Sequence, residues 1–154
     1  MNIANLREKA RLGNVAAQTI LGICYLDGVE VEADHEEAFR LLSAAAGRGA
    51  SRAISSLARM YTDGLGVAKD PNEAIRLYEQ AARRGEFLAQ IALGRMYSSG
   101  IGCPVDAAAA QEWYSAALAQ AKAAGGCGDE IREAEEFVAG RKGDEKGTGA
   151  FSDK

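Results

Sequence analysis

The sequence predicts an all-α protein, a solenoid of three helix pairs with a capping helix at each end. The first reason is a period of 36 residues, which indicates stacked supersecondary units rather than one irregular core. The columns that keep this period include Tyr25, Tyr61 and Tyr97; Gly28, Gly64 and Gly100; and Asp34, Asp70 and Asp106. The second reason is an alanine-rich composition with only 6% aromatic residues, which favours closely packed helices.

Length and charge restrict the classes of protein that this chain can represent. Its 154 residues suit one domain, and its formal net charge of -4 argues against a nucleic-acid-binding protein that neutralises phosphates. No apolar run approaches the ~20 residues that span a membrane, and the first ten residues contain no hydrophobic signal core. We therefore expect a cytoplasmic protein without a membrane partner. Cys24, Cys103 and Cys127 lack disulfide or metal-site spacing, so we expect free thiols and no cofactor.

The repeat boundaries follow from aligning the chain with itself at the 36-residue step. Each full unit contains a helix A and a helix B, and the chain opens on a helix that aligns with helix B of an incomplete unit. We predict a single domain over 1–140, with a cap helix 2–12, repeats 13–48, 49–84 and 85–120, and a cap helix 128–139. Residues 141–154 have little apolar content, and we predict that they form a disordered tail.

Polar residues and glycines define where the helices of each unit begin and end. The predicted A helices cover about 14–26, 50–62 and 86–98. A glycine ends each of them, because glycine tolerates positive φ at low cost. An aspartate then caps helix B, and Glu37 and Glu73, three residues after Asp34 and Asp70, predict capping boxes. Glu30 departs from the pattern, because the other two turns carry a second glycine at that column.

The columns shared by the units form one pattern over residues 13–120. It reads Ala-x-x-x-Leu-Gly-x-x-Tyr-x-x-Gly-x-Gly-Val-x-x-Asp-x-x-x-Ala-x-x-Leu/Trp-Tyr-x-x-Ala-Ala-x-x-Gly. This pattern resembles the Sel-one-like repeat (SLR), a relative of the tetratricopeptide repeat. The resemblance implies antiparallel helix pairs in a right-handed superhelix and a mostly non-catalytic adaptor; several bacterial members regulate or neutralise a partner, as a toxin-immunity protein does. Cysteine-rich relatives carry one disulfide per repeat, and this chain lacks those paired cysteines.

The residues that could support catalysis do not form a catalytic arrangement. His35 is the only histidine and directly follows the cap Asp34, so we interpret it as a solvated side chain rather than a general base. The glycine-rich turns follow helices and lack the Lys-Ser/Thr ending of a phosphate loop. Trp113 and Tyr114 read as core residues rather than a stacking platform, and the acidic helix 129–136 as a solvated face rather than an interaction surface. We therefore expect a protein that is not an enzyme.

Columns that do not repeat form the candidate binding surface, because the fold does not dictate their residue types. If helix A lines the concave side, as the resemblance implies, these columns face a protein or peptide partner. We expect Arg52, Arg59 and Arg95 to face one shallow groove and to pair with an acidic segment flanked by apolar side chains. The candidate partner-binding residues are Arg52, Arg59, Arg95, Ile23, Leu26, Asp27, Ser55, Thr62, Asp63, Leu88, Ile91 and Ser98.

Two other functions remain open. By analogy with the cysteine-rich relatives, the chain could be a hydrolase of a cell-wall or β-lactam compound, although the paired cysteines of those relatives are missing. It could also be a structural protein that uses its concave face on a second copy of itself. The expected state is therefore a monomer or a weak homo-oligomer.

Overall fold

Helices make up all the regular structure in the described part of the chain. The computed structural model describes residues 1–125 and 128–148, with side chains as far as residue 140. The helices are α1 (Ile3–Arg11), α2 (Val15–Asp27), α3 (His35–Gly47), α4 (Ser51–Asp63), α5 (Pro71–Arg83), α6 (Phe87–Ser99), α7 (Ala107–Ala124) and α8 (Asp129–Thr148). The predicted all-α fold is confirmed over these residues, and α2, α4 and α6 are the three A helices.

The helices belong to two compact units, where the sequence predicted a single domain. The first unit covers Met1–Ala89, and the second begins at Gln90. In the first unit each helix from α1 to α4 packs against the next helix along the chain, and α2 also contacts α4. In the second unit α7 packs against α8.

The end of the chain differs from the prediction. Helix α8 continues to Thr148, past the predicted end at residue 139 and into the segment predicted to be disordered. Arg, Lys and Glu are frequent in this segment and favour helix, and a helix that already exists extends without a new nucleation step. Low apolar content in this segment therefore did not exclude a helix. Cys127 and residues 149–154 lie outside the described residues, together with the predictions made for them.

Aspartate side chains cap the B helices as predicted. Each Oδ1 atom accepts a hydrogen bond from the backbone N–H three residues later. The donors are Glu37 for Asp34 (3.1 Å), Glu73 for Asp70 (3.2 Å) and Ala109 for Asp106 (3.0 Å). Each B helix thus starts at a fixed point after its turn.

The reciprocal half of the predicted capping box does not form. The backbone N–H of Asp34 donates to the carbonyl of Tyr25 at 2.9 Å, and the equivalent bond recurs in the other two repeats. The Glu37 carboxylate instead accepts from Arg40 Nε at 3.0 Å. Because the preceding A helix already supplies an acceptor for the cap N–H, the glutamate is left for an ion pair. The tyrosine column therefore fixes the turn between helices A and B through its backbone.

Small residues at one column of helix A allow close approach of helix B. A methyl group added at Gly22 would lie 2.7 Å from Leu42 Cγ, and one at Gly94 would lie 2.7 Å from the Tyr114 ring. The second repeat has Ala58 at this column, fully buried at 0% exposure. Close packing at this column holds each A helix against its B helix.

Arginines connect successive B-to-A turns in the first unit. Arg84 Nη1 donates to the carbonyl of Gly49 at 2.5 Å, and Arg48 Nη1 donates to the carbonyl of Gly13 at 3.4 Å. Both donors lie 35 residues after their acceptors, so the bonds join neighbouring repeats. Leu12 occupies the same column one repeat earlier, and it is 70% exposed.

Several chemical features of the described residues bear on function. None of their helices is both long and apolar enough to cross a membrane. Cys24 is buried and Cys103 is half-buried. Within the same residues, His, Cys, Asp and Glu side chains form no group of three or more that could hold a metal ion.

Candidate functional site

One face of the A helices in the first unit is open to solvent along its length. On α2 and α4 the exposed and half-buried positions recur at i, i+4, i+7 and i+11, which is a single helix face. The two helices contact each other, so their faces form one surface. We call it the helix-A face, and it consists of Ala16, Ile20, Ile23 and Asp27 on α2, and Arg52, Ser56, Arg59 and Asp63 on α4.

The two halves of the helix-A face differ in chemistry. The α2 half is mainly apolar: Ile20 is 43% exposed, and Ile23 beside it is half-buried. The α4 half is polar and carries Arg52, Ser56 and Arg59 at the matching columns. An apolar strip thus lies next to a cationic strip on neighbouring helices.

One ion pair crosses between the two strips. Arg59 Nη2 pairs with Asp27 Oδ1, which joins α4 to the end of α2. The two side chains are 43% and 35% exposed, so solvent screens the pair and it adds little to stability. Arg52 is exposed and forms no ion pair with any described residue. The charges of Arg59 and Asp27 thus offset each other, and Arg52 and Asp63 supply the remaining positive and negative charges of the face.

Arg95 lies in the second unit and is already engaged. Its Nε atom contacts both carboxylate oxygens of Glu133 on α8, at 2.8 and 2.9 Å, and its Nη2 atom lies 2.5 Å from Oε2. Tyr114 Oη donates to Glu133 Oε1 at 2.9 Å, and the Tyr114 ring lies 4.9 Å from that of Phe137. The expectation of a third guanidinium open to a partner is corrected, because the chain's own α8 binds it.

Electrostatics in this cluster follow from the contacts. The hydrogen bonds from Arg95 lower the pKa of the Glu133 carboxyl below its ordinary value. Burial first, and then the hydrogen bond to Glu133, raises the pKa of Tyr114 to about 12. The cluster therefore holds a carboxylate, a guanidinium and a neutral phenol at neutral pH.

The other predicted partner-binding residues are not all on a surface. Leu26, Ser55 and Ile91 are buried at 4%, 6% and 1% exposure, so their placement on an open face is wrong. Thr62 and Ser98 are half-buried, and the hydroxyl of each donates to a backbone carbonyl of its own helix. These columns are rotated away from the helix-A face toward the neighbouring helices. The structure does place Ile23, Asp27, Arg52, Arg59 and Asp63 together on that face, and Leu88 is 50% exposed at the start of α6.

Sequence reasoning missed two positions of the helix-A face. Ser56 was passed over in favour of its buried neighbour Ser55, and Ile20, which follows the buried Thr19, was not named. Thr19 Oγ1 donates to the Val15 carbonyl at 2.9 Å, which satisfies its hydroxyl inside the helix. A stricter search for one line at i, i+4, i+7 and i+11 would have found both missed residues.

A groove of about 730 Å³ lies elsewhere in the first unit, between α1 and the first A-to-B turn. Its lining includes Ile3, Tyr25, Glu30, Glu32 and His35. One repeat later the equivalent space is filled, because the Phe39 ring meets the Tyr61 ring at 6.2 Å and Gly66 lies against the backbone of His35. Ile3 occupies the column of Phe39, and Glu30 occupies the column of Gly66.

Comparisons with known proteins agree with the repeat architecture. The family model described as Sel1 repeat matches residues 15–49, 51–86 and 88–122. A Sel1 repeat protein from Oxalobacter formigenes is 38% identical, over 86% of this chain and 96% of that chain, with a TM-score of 0.67. A protective antigen of uropathogenic Escherichia coli with an SLR fold is 34% identical, over 75% of this chain and 25% of that chain, with a TM-score of 0.70.

A more distant structure shares the fold alone. The cysteine-rich protein B of Helicobacter pylori is 20% identical, over 85% of this chain and 96% of that chain, with a TM-score of 0.64. No curated protein matches the chain. The three matched repeats cover most of the sequence, and their bounds coincide with the helix pairs α2–α3, α4–α5 and α6–α7. The chain therefore belongs to the Sel1 repeat family, whose members are generally protein-interaction modules.

Proposed function

We propose that this chain is a non-enzymatic protein-binding module that contacts its partner through the helix-A face. The observation that carries the proposal is an exposed surface whose residue types the repeat does not dictate. Ile20 and Ile23 occupy the same columns as Ser56 and Arg59, although the backbone is equivalent at both places. Residues that vary at equivalent, exposed positions are free to serve recognition.

The composition of the helix-A face suits a protein partner. Arginine beside exposed apolar side chains is typical of the residues that dominate binding energy at interfaces. Ile20 at 43% exposure and the unpaired Arg52 are the two side chains with most to gain from a partner. The overall charge of -4 favours neither a nucleic acid nor an anionic membrane surface as that partner.

A cytoplasmic adaptor, regulator or toxin-immunity protein of bacterial type is the role that we propose for such a module. The proposal includes a lack of catalysis, since the only histidine, His35, lies between Asp34 and Glu36 in the acidic wall of the α1 groove. Reproducible turnover of a β-lactam or cell-wall substrate by the purified protein, lost in His35→Ala, would contradict this part.

The experiment is a quantitative pull-down from the source cell with a charge-reversal pair. Arg52→Glu with Arg59→Glu should remove the captured partner, because like charges then oppose each other on the face. The matched control is Arg11→Glu with Arg83→Glu, which makes the same change in net charge at residues 68% and 73% exposed on helices of the B type. Capture should persist in the control. Equal capture by both double variants would place the binding surface elsewhere.

Folding and self-association need separate measurements. Circular dichroism should give both double variants nearly wild-type melting curves, because none of the four arginines is buried. Light scattering across a dilution series distinguishes a monomer that awaits a partner from a protein that uses the face on a second copy. A dimer that dissociates only in the Arg52→Glu, Arg59→Glu variant would identify the face as a self-association surface.

A further inference from the structure

In the second unit, an arginine on an A helix binds a carboxylate on another helix. Arg95 holds the Glu133 carboxylate through three contacts of 2.5 to 2.9 Å. Such multidentate, charge-assisted contacts are stronger and more specific than single hydrogen bonds. The arginine therefore selects a carboxylate on the helix that packs beside it.

An aromatic side chain one turn along the same helix completes that contact. Phe137 follows Glu133 by four residues, so both project from one face of α8. Its ring packs at 4.9 Å on the Tyr114 ring, while Ala134 between them is fully buried. The rest of this stretch of α8 is acidic and exposed, as at Glu135 and Glu136. Helix α8 is thus an acidic amphipathic helix with a carboxylate and an apolar anchor at i and i+4.

Arg59 occupies the same column as Arg95, but fewer of its N–H groups form hydrogen bonds. Only its Nη2 atom has a partner, Asp27, and its remaining N–H groups have none among the described residues. Arg52 lies two turns before it on α4, with no ion-pair partner in the described chain. Both guanidinium groups can donate to a further carboxylate without breaking an existing contact.

The apolar anchor also has a place on this face. Ile23 occupies the Arg59 column on the adjacent helix α2, and packed helices are about 8–10 Å apart. One turn of a helix rises about 5.4 Å, and side-chain reach covers the remaining distance. A helix that places a carboxylate on Arg59 can therefore lay an apolar side chain, one turn along, against Ile20 and Ile23.

We infer that the partner element of the helix-A face is an acidic amphipathic helix with a carboxylate and an apolar side chain one turn apart. The carboxylate binds Arg59, the apolar side chain covers Ile20 and Ile23, and further acidic residues lie near Arg52. This inference rests on the proposed function and specifies the chemistry of the partner. It predicts a ligand that resembles the chain's own α8.

The test uses a synthetic peptide with the sequence of residues 128–140, acetylated, amidated and fluorescently labelled, titrated against the full chain. We expect saturable binding that weakens at least about tenfold in Arg59→Glu, since charge reversal opposes the ligand carboxylate. Ile20→Glu should weaken it as well, and Arg11→Glu with Arg83→Glu should not. In the peptide, Glu133→Gln and Phe137→Ala should each reduce affinity.

Three results would overturn the inference. The first is no saturable binding by the wild-type chain. The second is binding that is unchanged in Arg59→Glu but lost in Arg95→Glu, because the peptide would then only be replacing α8 at its own site. The third is a homodimer in light scattering that Arg59→Glu abolishes, which would make a second copy the occupant. If the peptide fails while the pull-down still depends on Arg52 and Arg59, the face is right and the helical partner class is wrong; if both fail, the proposed function fails too.

Discussion

Replacing Glu30 by glycine should stabilise the protein. Glu30 is the only non-glycine residue with positive φ among the described residues, at φ 64°. The equivalent residues Gly66 and Gly102 have φ of 68° and 71°, so the backbone shape of the turn is shared. A side chain in this left-handed region costs roughly 1–2 kcal/mol that glycine does not incur. Glu30→Gly removes that strain.

The size of the gain is reduced by the unfolded state. Glycine gives the unfolded chain more freedom, which costs about 0.4–1 kcal/mol. The expected net stabilisation is therefore about 0.5–1 kcal/mol, or a rise in Tm of about 1–3 °C for a chain of this size. Glu30→Ala separates the causes, because alanine keeps the backbone strain while it removes the carboxylate; its Tm should stay close to wild type.

The reciprocal change at the next turn should have the opposite sign. In Gly66→Ala the new methyl carbon would lie 2.7 Å from the carbonyl oxygen of His35 and 2.9 Å from its carbonyl carbon. Backbone overlap and positive φ act together, so we expect a loss of roughly 2–3 kcal/mol. Thermal unfolding followed by circular dichroism measures all three variants. A lower Tm for Glu30→Gly, or a tolerated Gly66→Ala, would refute this account of the turns.

Two further predictions test the packing of the helices and the anchor of α8. Gly22→Ala should destabilise the protein by roughly 1–2 kcal/mol in urea unfolding, because its methyl group would meet Leu42 at 2.7 Å. The control Gly47→Ala meets nothing within 4 Å and should be neutral or stabilising by up to about 1 kcal/mol. Equal effects of the two substitutions would contradict the close-packed column. Because Arg95 lowers the pKa of Glu133 in the folded protein, their ion pair stabilises the fold at pH values above 4.5, the ordinary pKa of glutamate, and this stabilisation is lost as the pH falls through the folded pKa. Near-UV circular dichroism should show this loss in the wild type and not in Glu133→Gln. Identical acid titrations of the two proteins would contradict the prediction.

Local hydrogen bonding explains why so much of the fold was predictable. The caps at Asp34, Asp70 and Asp106 and the left-handed Gly28 depend on residues close in sequence, and the 36-residue period repeats that local information three times. The capping box failed because its prediction ignored the Tyr25 carbonyl, which lies nine residues away along the chain and reaches the cap N–H only once the turn has formed.

The candidate site was harder to predict, because its geometry depends on tertiary contacts. Sequence spacing placed Arg52 and Arg59 on one helix face correctly, since their separation is a property of α4 alone. The pairing of Arg95 with Glu133 involves a helix outside the period, so no column predicted it. Ser55 and Ile91 are buried, because a shift of one residue along a helix moves a side chain from the exposed face to the core. The sequence columns alone did not define the exposed face to within one residue.

Differential hydrogen exchange with the captured partner tests the central claim most directly. The partner need only be purified in complex, and amide protection is read for each helix of the full chain in the free and bound states. The account predicts new protection in α2 and α4, over Val15–Asp27 and Ser51–Asp63, and its loss when Arg52→Glu and Arg59→Glu replace the wild-type residues. Protection confined to α3 and α5, or to the acidic helix α8, would contradict it.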